Sequence, residues 1–390
     1  MKRIFAIMLI TTVALLGTVK NVFAQEKEIL SDDNQICENV NAKACVLMDC
    51  NTGTILAAKN ENNKLYPASV TKIMSLLLVC EALESGKLTR EMEITCSESA
   101  AEKGGSQIWL EPGEVMTVND LIKATAVYSA NDACCLLGEA IAGDEGSFVD
   151  MMNKKAKELN MNNTHFDNCT GLDDDTDTHK TTAYDIAVMS SELLKYDVIR
   201  EYSSIWMDTL RNGDTQIVNT NKLIRNYPGA TGLKTGTTSK AGCCVSASAE
   251  RDGMHLVAVV LGAGNSKDRF SGAKNLLDWG FANYEIFEPD IGNGYSDDIQ
   301  VNHGVQKTLK LTNTVPEDIL IKRGMSSEID VDIQLPEFAD APIEKGKKIG
   351  EIRLTLSGEI IGICDIIADE TIEEMTFFNA LKSLLYAFSK

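Results

Sequence analysis

Apolar positions along the chain fall into short alternating runs and longer helical ones. Residues 44–49 and 54–58 are short apolar runs on either side of Asn51-Thr52-Gly53, which predicts a β-hairpin. Pro67 precedes Ser69, and the apolar stretch from there to about Leu83 predicts a largely buried helix with proline near its first turn. Further helical segments are predicted over 118–142, 149–159 and 181–195, the last capped by Thr181-Thr182. Between the last two, residues 160–180 are rich in Asn, Asp, Thr and Gly and predict a loop. The apolar runs 243–250 and 255–261 flank Arg251-Asp252-Gly253, a second hairpin with positive φ at Gly253. A helix rich in Leu and aromatics follows over 268–284. Strands, a helical middle, then strands and a helix predict an α/β layered domain over 40–288, and the hairpins imply an antiparallel sheet.

The pattern changes after about Glu288. Residues 300–372 carry β-like runs at 308–311, 319–321, 329–335, 349–356 and 360–367, separated by Gly, Pro and acidic turns. This predicts a small all-β domain, a β-sandwich. In the tail, 376–390, Phe377, Leu381, Leu384, Leu385 and Phe388 share one helical face. Such an amphipathic helix either lies on a membrane surface or packs on the β domain. At the other end, Lys2 and Arg3 precede an apolar run, 4–19, and Val22-Phe23-Ala24 follows. That is the pattern of a secretory signal peptide, 1–24, cut after Ala24. An uncleaved anchor is the other reading, although the run is short for spanning. Residues 25–40 are polar and read as a flexible lead-in.

Composition narrows the function. A chain of 390 residues is long enough for two domains. Its net charge of −20 repels nucleic acid, and no basic stripe offsets it. Loss of Lys2, Arg3 and Lys20 with the leader would take the charge to −23. The 11 cysteines are an odd number for an exported chain and include no C-x-x-C pair; with 4 scattered histidines, neither a metal site nor a cofactor is expected. Cys45, Cys80, Cys134, Cys135, Cys243 and Cys244 sit inside apolar runs and read as small buried hydrophobes.

Three short motifs carry chemistry. Ser69-Val70-Thr71-Lys72 places Ser and Lys on one face of a helix start. A Ser hydroxyl needs a nearby base, and Lys can serve once burial lowers its pKa. The spacing alone is weak, since Ser271-Gly272-Ala273-Lys274 has it too and reads as an ordinary surface pair. Ser129-Ala130-Asn131 offers a hydroxyl to relay a proton and an amide to hold a peptide backbone. Lys234-Thr235-Gly236-Thr237 offers a cation and hydroxyls for a carboxylate, with Gly236 allowing close backbone approach. Any one of these is most often structural. Together, in this order, they are the S-x-x-K, S-x-N, K-T-G signature of penicillin-binding proteins and class A β-lactamases.

The chain resembles the serine-type D-alanyl-D-alanine carboxypeptidases, the low-molecular-mass penicillin-binding proteins. Beyond the three motifs, Tyr66-Pro67-Ala68, Asn163-Thr164-His165-Phe166, Gly171-Leu172 and Thr181-Thr182-Ala183-Tyr184-Asp185 match that family's blocks. The resemblance implies a transpeptidase/β-lactamase-like catalytic fold with an antiparallel sheet between helices. It also implies an enzyme at the outer face of the cytoplasmic membrane or in the cell wall, acting on peptidoglycan stem peptides and acylated by β-lactam antibiotics. The roles it implies are Ser69 as nucleophile, Lys72 as its base, Ser129 as proton relay and Asn131 as peptide anchor. Lys234 and Thr235 would hold the terminal carboxylate, Gly236 would let the substrate backbone approach, and the backbone N–H groups of Ser69 and Thr237 would form the oxyanion hole. Thr238 stands close behind the third motif where relatives often carry bulk in that region. A D,D-endopeptidase or a β-lactamase uses the same machinery. Glu158-Leu159-Asn160 departs from the β-lactamase Glu-x-x-Leu-Asn spacing, and Ala130 replaces its Asp. An inactive wall-binding scaffold is the reading from another class.

Overall fold

The computed structural model describes residues 35–174, 176–289, 298–314 and 319–381. The expected leader, 1–24, and the greater part of the expected tail helix lie outside the described residues; that helix starts at Phe377. Among the described residues no helix is long and apolar enough to cross a membrane.

A five-stranded antiparallel sheet forms the centre of the larger part. Its strands are β1 (Ala44–Asp49), β2 (Ile55–Lys59), β3 (Ala230–Thr238), β4 (Gly242–Arg251) and β5 (Met254–Ala263), in the order β2-β1-β5-β4-β3. Both predicted hairpins are present. Side chains of a strand alternate between faces, and here both faces are buried. Val257, Val259 and Leu261 of β5 face one core, which holds α1 (Lys72–Glu84), α2 (Asn131–Ala142), α3 (Glu145–Glu158) and α4 (Ala183–Leu194). Leu256, Ala258 and Val260 face the other, closed by Leu276, Leu277 and Phe281 of α5 (Ser266–Asn283). Each fully buried Leu or Phe contributes about 1.5–3 kcal/mol relative to exposure. The sheet is therefore clamped on both sides, which holds its edge strand β3 still.

Three local expectations are corrected. The helix expected over 118–142 is broken: Val118–Lys123 is α-helical, Ala124–Tyr128 is a π-turn, and α2 begins at Asn131. Ser129 at the break has φ 71 and Ala130 is extended, conformations that a continuing helix excludes. Residues 35–40 are not a flexible lead-in, because Cys37 and Val40 are buried in the α5 core. Cys243 is only half-buried, since it opens β4 opposite Thr237 at the open end of the sheet. The cap expected for 181–195 is Thr182, whose hydroxyl accepts from Asp185 N.

The C-terminal part is all-β, with its own core of Ile, Leu and Val side chains. Its strands form a six-stranded sheet and, through Ile319–Lys322, a pair with Tyr284–Phe287 at the end of α5. Two strands, Asp298–Asn302 and Phe338–Asp340, were not predicted from the pattern. Phe338–Asp340 is only three residues long, and Asp298–Asn302 carries just two apolar side chains, Ile299 and Val301, so neither run is long enough to stand out.

Candidate active site

Ser69 sits on a tight turn. Pro67 precedes a 3₁₀ turn, Ala68–Thr71, which runs directly into α1. Ala68 has φ 49, a left-handed value for a residue with a Cβ, and it is fully buried. Two glycines let other segments close on this turn. Gly171, at φ +87, lies so near that a Cβ there would stand 1.8 Å from the Ala68 carbonyl oxygen. A Cβ on Gly236 of β3 would stand 2.8 Å from Ser69 N and from Pro67 O. Ser69 is thus held between the loop 160–180 and the edge strand.

Lys72 is completely buried beneath it. Its Nζ donates to Ser69 Oγ at 3.0 Å, to Asn131 Oδ1 at 2.5 Å and to the Thr170 carbonyl at 2.9 Å. No carboxylate is among these partners. Burial lowers the Lys72 pKa from 10.5 to about 8, because the charged form is poorly solvated there. Asn131 is spoken for at both ends, its Nδ2 donating to Gly104 O at 2.6 Å.

Ser129 and Lys234 are in the opposite state. Both are buried, and neither Ser129 Oγ nor Lys234 Nζ has a hydrogen-bond partner among the described residues. Burial first, then the neighbouring Lys72, pushes the Lys234 pKa well below its ordinary value. Polar groups buried without partners are rare and call for an explanation. Thr235 Oγ1 donates to Thr220 Oγ1 at 2.8 Å, while Thr237 stands exposed at the end of β3. The second S-x-x-K is an exposed pair on α5, as expected.

Several supporting residues escaped the sequence reading. His179 is buried under the Ser69 turn; its Nδ1 accepts from Asp167 N at 3.0 Å, so Nε2 donates to Thr71 Oγ1 at 2.8 Å. Burial lowers its pKa to about 4, so it is neutral. Arg269 of α5 donates from one nitrogen to Gly236 O (3.0 Å), Thr237 Oγ1 (2.9 Å) and Cys244 O (3.3 Å), pinning the third motif from behind. The buried Asp132 carboxylate accepts from Ile108 N and Leu110 N, both at 3.1 Å, and so fixes the backbone on either side of Trp109, a residue 76% exposed. Asp132 adjoins the second motif, and only its role was hidden from the sequence, because its partners lie 22 and 24 residues away. Arg269 lies in an amphipathic helix with nothing to mark it.

Comparison with known proteins places this arrangement. Residues 30–265 match the peptidase family S11, D-alanyl-D-alanine carboxypeptidase, and residues 292–374 match the penicillin-binding protein 5 C-terminal domain. The chain belongs to the D-alanyl-D-alanine carboxypeptidase family. D-alanyl-D-alanine carboxypeptidase DacF of Bacillus subtilis is 40% identical across 100% of both chains. Among solved structures, penicillin binding protein 5 from Haemophilus influenzae is 32% identical, covers 86% of this chain and 98% of its own, and superimposes with a TM-score of 0.73. Penicillin-binding protein D2 from Listeria monocytogenes, solved in its ampicillin-bound form, is 30% identical over 62% of this chain and 98% of its own, with a TM-score of 0.57. As a member of this cell-wall family the chain is a hydrolase with the penicillin-binding fold.

Proposed function

We propose that the chain removes the terminal D-alanine from peptidoglycan stem peptides through an acyl-enzyme on Ser69. The observation that carries the reading is the Lys72 ammonium, buried without a carboxylate, its pKa down at about 8, and 3.0 Å from Ser69 Oγ. In its neutral form Lys72 takes the Ser69 proton as Oγ bonds to the carbonyl carbon of the penultimate D-Ala. The carbonyl oxygen gains charge between the backbone N–H groups of Ser69 and Thr237; the close approach of Gly236 to Ser69 N supports that pairing. As the C–N bond breaks, Ser129 gives its proton to the leaving amine and is reprotonated from Lys72, which becomes neutral again. Water adds to the ester, Lys72 accepts its proton, and that proton returns to Ser69 Oγ as the C–O bond breaks.

The terminal carboxylate goes to Lys234 and Thr235. A carboxylate entering beside Lys234 supplies the counter-charge that favours its ammonium form. Asn131, expected to anchor the peptide, is better placed to position Lys72, since its Oδ1 holds the amine. The remaining Nδ2 hydrogen is what it can offer the substrate.

The signal-peptide pattern at 1–24 supports export, and the apolar face of the tail supports attachment at the outer face of the cytoplasmic membrane. A β-lactam would acylate Ser69 and leave slowly; the solved ampicillin-bound form of a relative supports β-lactam binding. The β-lactamase reading loses support, because Glu158 lies at the end of α3, paired with Lys155 at 2.9 Å and Lys154 at 3.7 Å.

The test is D-alanine release from an acyl-D-Ala-D-Ala peptide by residues 25–390 and by Ser69→Ala, with intact mass recorded after penicillin. Release and a penicillin adduct, both lost in the variant, are expected. A stable adduct without release would shift the assignment to an endopeptidase; neither, from folded protein, would leave an inactive scaffold.

A further inference from the structure

Three residues remote in sequence meet behind the site. Cys135 comes from α2, Glu145 from the first turn of α3 and Cys169 from the loop 160–180, and one ligand atom of each lies within 4.8 Å of the other two. Glu145 Oε1 is 3.2 Å from Cys169 Sγ and accepts from Cys169 N at 3.3 Å. Its other oxygen, Oε2, holds Lys103 Nζ at 2.5 Å. A carboxylate turned toward two buried thiols is not something that apolar packing asks for.

We propose that Cys135, Glu145 and Cys169 bind one thiophilic divalent cation of the zinc class. In a tetrahedral site with bonds of about 2.3 Å to sulfur and about 2.1 Å to oxygen, the sulfur–oxygen edge is about 3.6 Å and the sulfur–sulfur edge about 3.8 Å. The present 3.2 Å edge needs to open by only a few tenths of an ångström. Charge balances as well. Binding breaks two S–H bonds, releases both protons to solvent and forms two metal–thiolate bonds and one metal–carboxylate bond. Two thiolates neutralise the dication, and Glu145 keeps its pairing with Lys103 through Oε2. A further donor is at hand in Glu139 Oε1, 3.7 Å from Cys135 Sγ. The thiols are buried, but the side chains of Lys103 and Glu145 are 24% and 20% exposed and open a way in.

The position gives such an ion a consequence. The Cys169 carbonyl accepts from Ser75 Oγ at 2.7 Å, and the next carbonyl, Thr170, holds Lys72. An ion on Cys169 would therefore anchor the loop that positions the proposed base. The inference does not depend on the reaction assigned above, since its readouts are metal uptake and thiol protection.

The test uses the full mature chain, reduced and freed of metal, titrated with cobalt(II) and then zinc. One equivalent of cobalt is expected to give a thiolate-to-metal charge-transfer band that zinc abolishes. Cys169→Ser and Cys135→Ser should each remove the band, while Cys80→Ser, in the core of α1, should keep it. Independently of any variant, zinc should protect Cys135 and Cys169 of the wild-type chain from alkylation, read by peptide mass. No band, a band that survives both substitutions, or equal alkylation with and without zinc would overturn the proposal. So would recovery of these cysteines in a disulfide from a reduced sample that takes up no metal.

Discussion

Gly171→Ala should cripple acylation while leaving the three motifs untouched. The added Cβ would stand 1.8 Å from the Ala68 carbonyl oxygen and 2.7 Å from Thr71 Oγ1, whereas real Cβ contacts essentially never fall below 3.0 Å. Either the Ser69 turn or the loop must retreat by more than an ångström. The carbonyl is backbone on a buried, already left-handed residue, so it cannot swing aside as a side chain would. Retreat of the loop is no better, because the neighbouring Thr170 carbonyl would draw away from Lys72. Displacement of about 1 Å from reactive geometry costs about 100-fold. The left-handed φ adds about 1–2 kcal/mol of strain for any L side chain. The assay is the second-order rate of penicillin adduct formation by intact mass, beside a thermal melt. We expect a loss of about 100-fold or more, with Tm lower by several degrees. Acylation within threefold of wild type at unchanged Tm would show that Gly171 does not hold the Ser69 turn.

The acylation rate should rise with pH through a midpoint of about 8, because Lys72 has a lone pair only above its lowered pKa; a rate flat from pH 6 to 10 would remove it as base. Lys72→Arg, charged at every accessible pH, should lose about 10²–10⁴-fold at pH 8 by the same adduct assay, with a lower Tm because the burial that depresses the Lys72 pKa also disfavours a fixed cation. Arg269→Met should raise KM for an acyl-D-Ala-D-Ala peptide more than it lowers kcat, since it frees Gly236 O and Thr237 Oγ1 from behind; unchanged KM would refute that support. Burial lowers the pKa of His179, and of the likewise buried His255 on β5, from 6.5 to about 4. The unfolded chain then binds more protons between pH 6.5 and 4, so stability should fall as pH drops through that window. Denaturant melts of His179→Gln should show a shallower fall than wild type.

Much of the architecture was legible because it is written locally. Hairpin turns at Asn51-Thr52-Gly53 and Arg251-Asp252-Gly253, the proline before Ser69 and the cap at Thr182 act within a few residues, and period-2 and helical patterns reveal burial one element at a time. The three motifs were equally visible, since each lies on one turn or one strand. What folding alone decided are contacts across long separations: Gly171 against Ala68, Arg269 against Gly236, and Cys135, Glu145 and Cys169 brought to one point. The left-handed Ser129 that breaks a predicted helix belongs here too, because helical periodicity on both sides hid it. A residue type and its spacing report which surface an element will bury. Which distant element fills that surface, and how far burial moves a lysine's pKa, depends on packing that no local pattern contains.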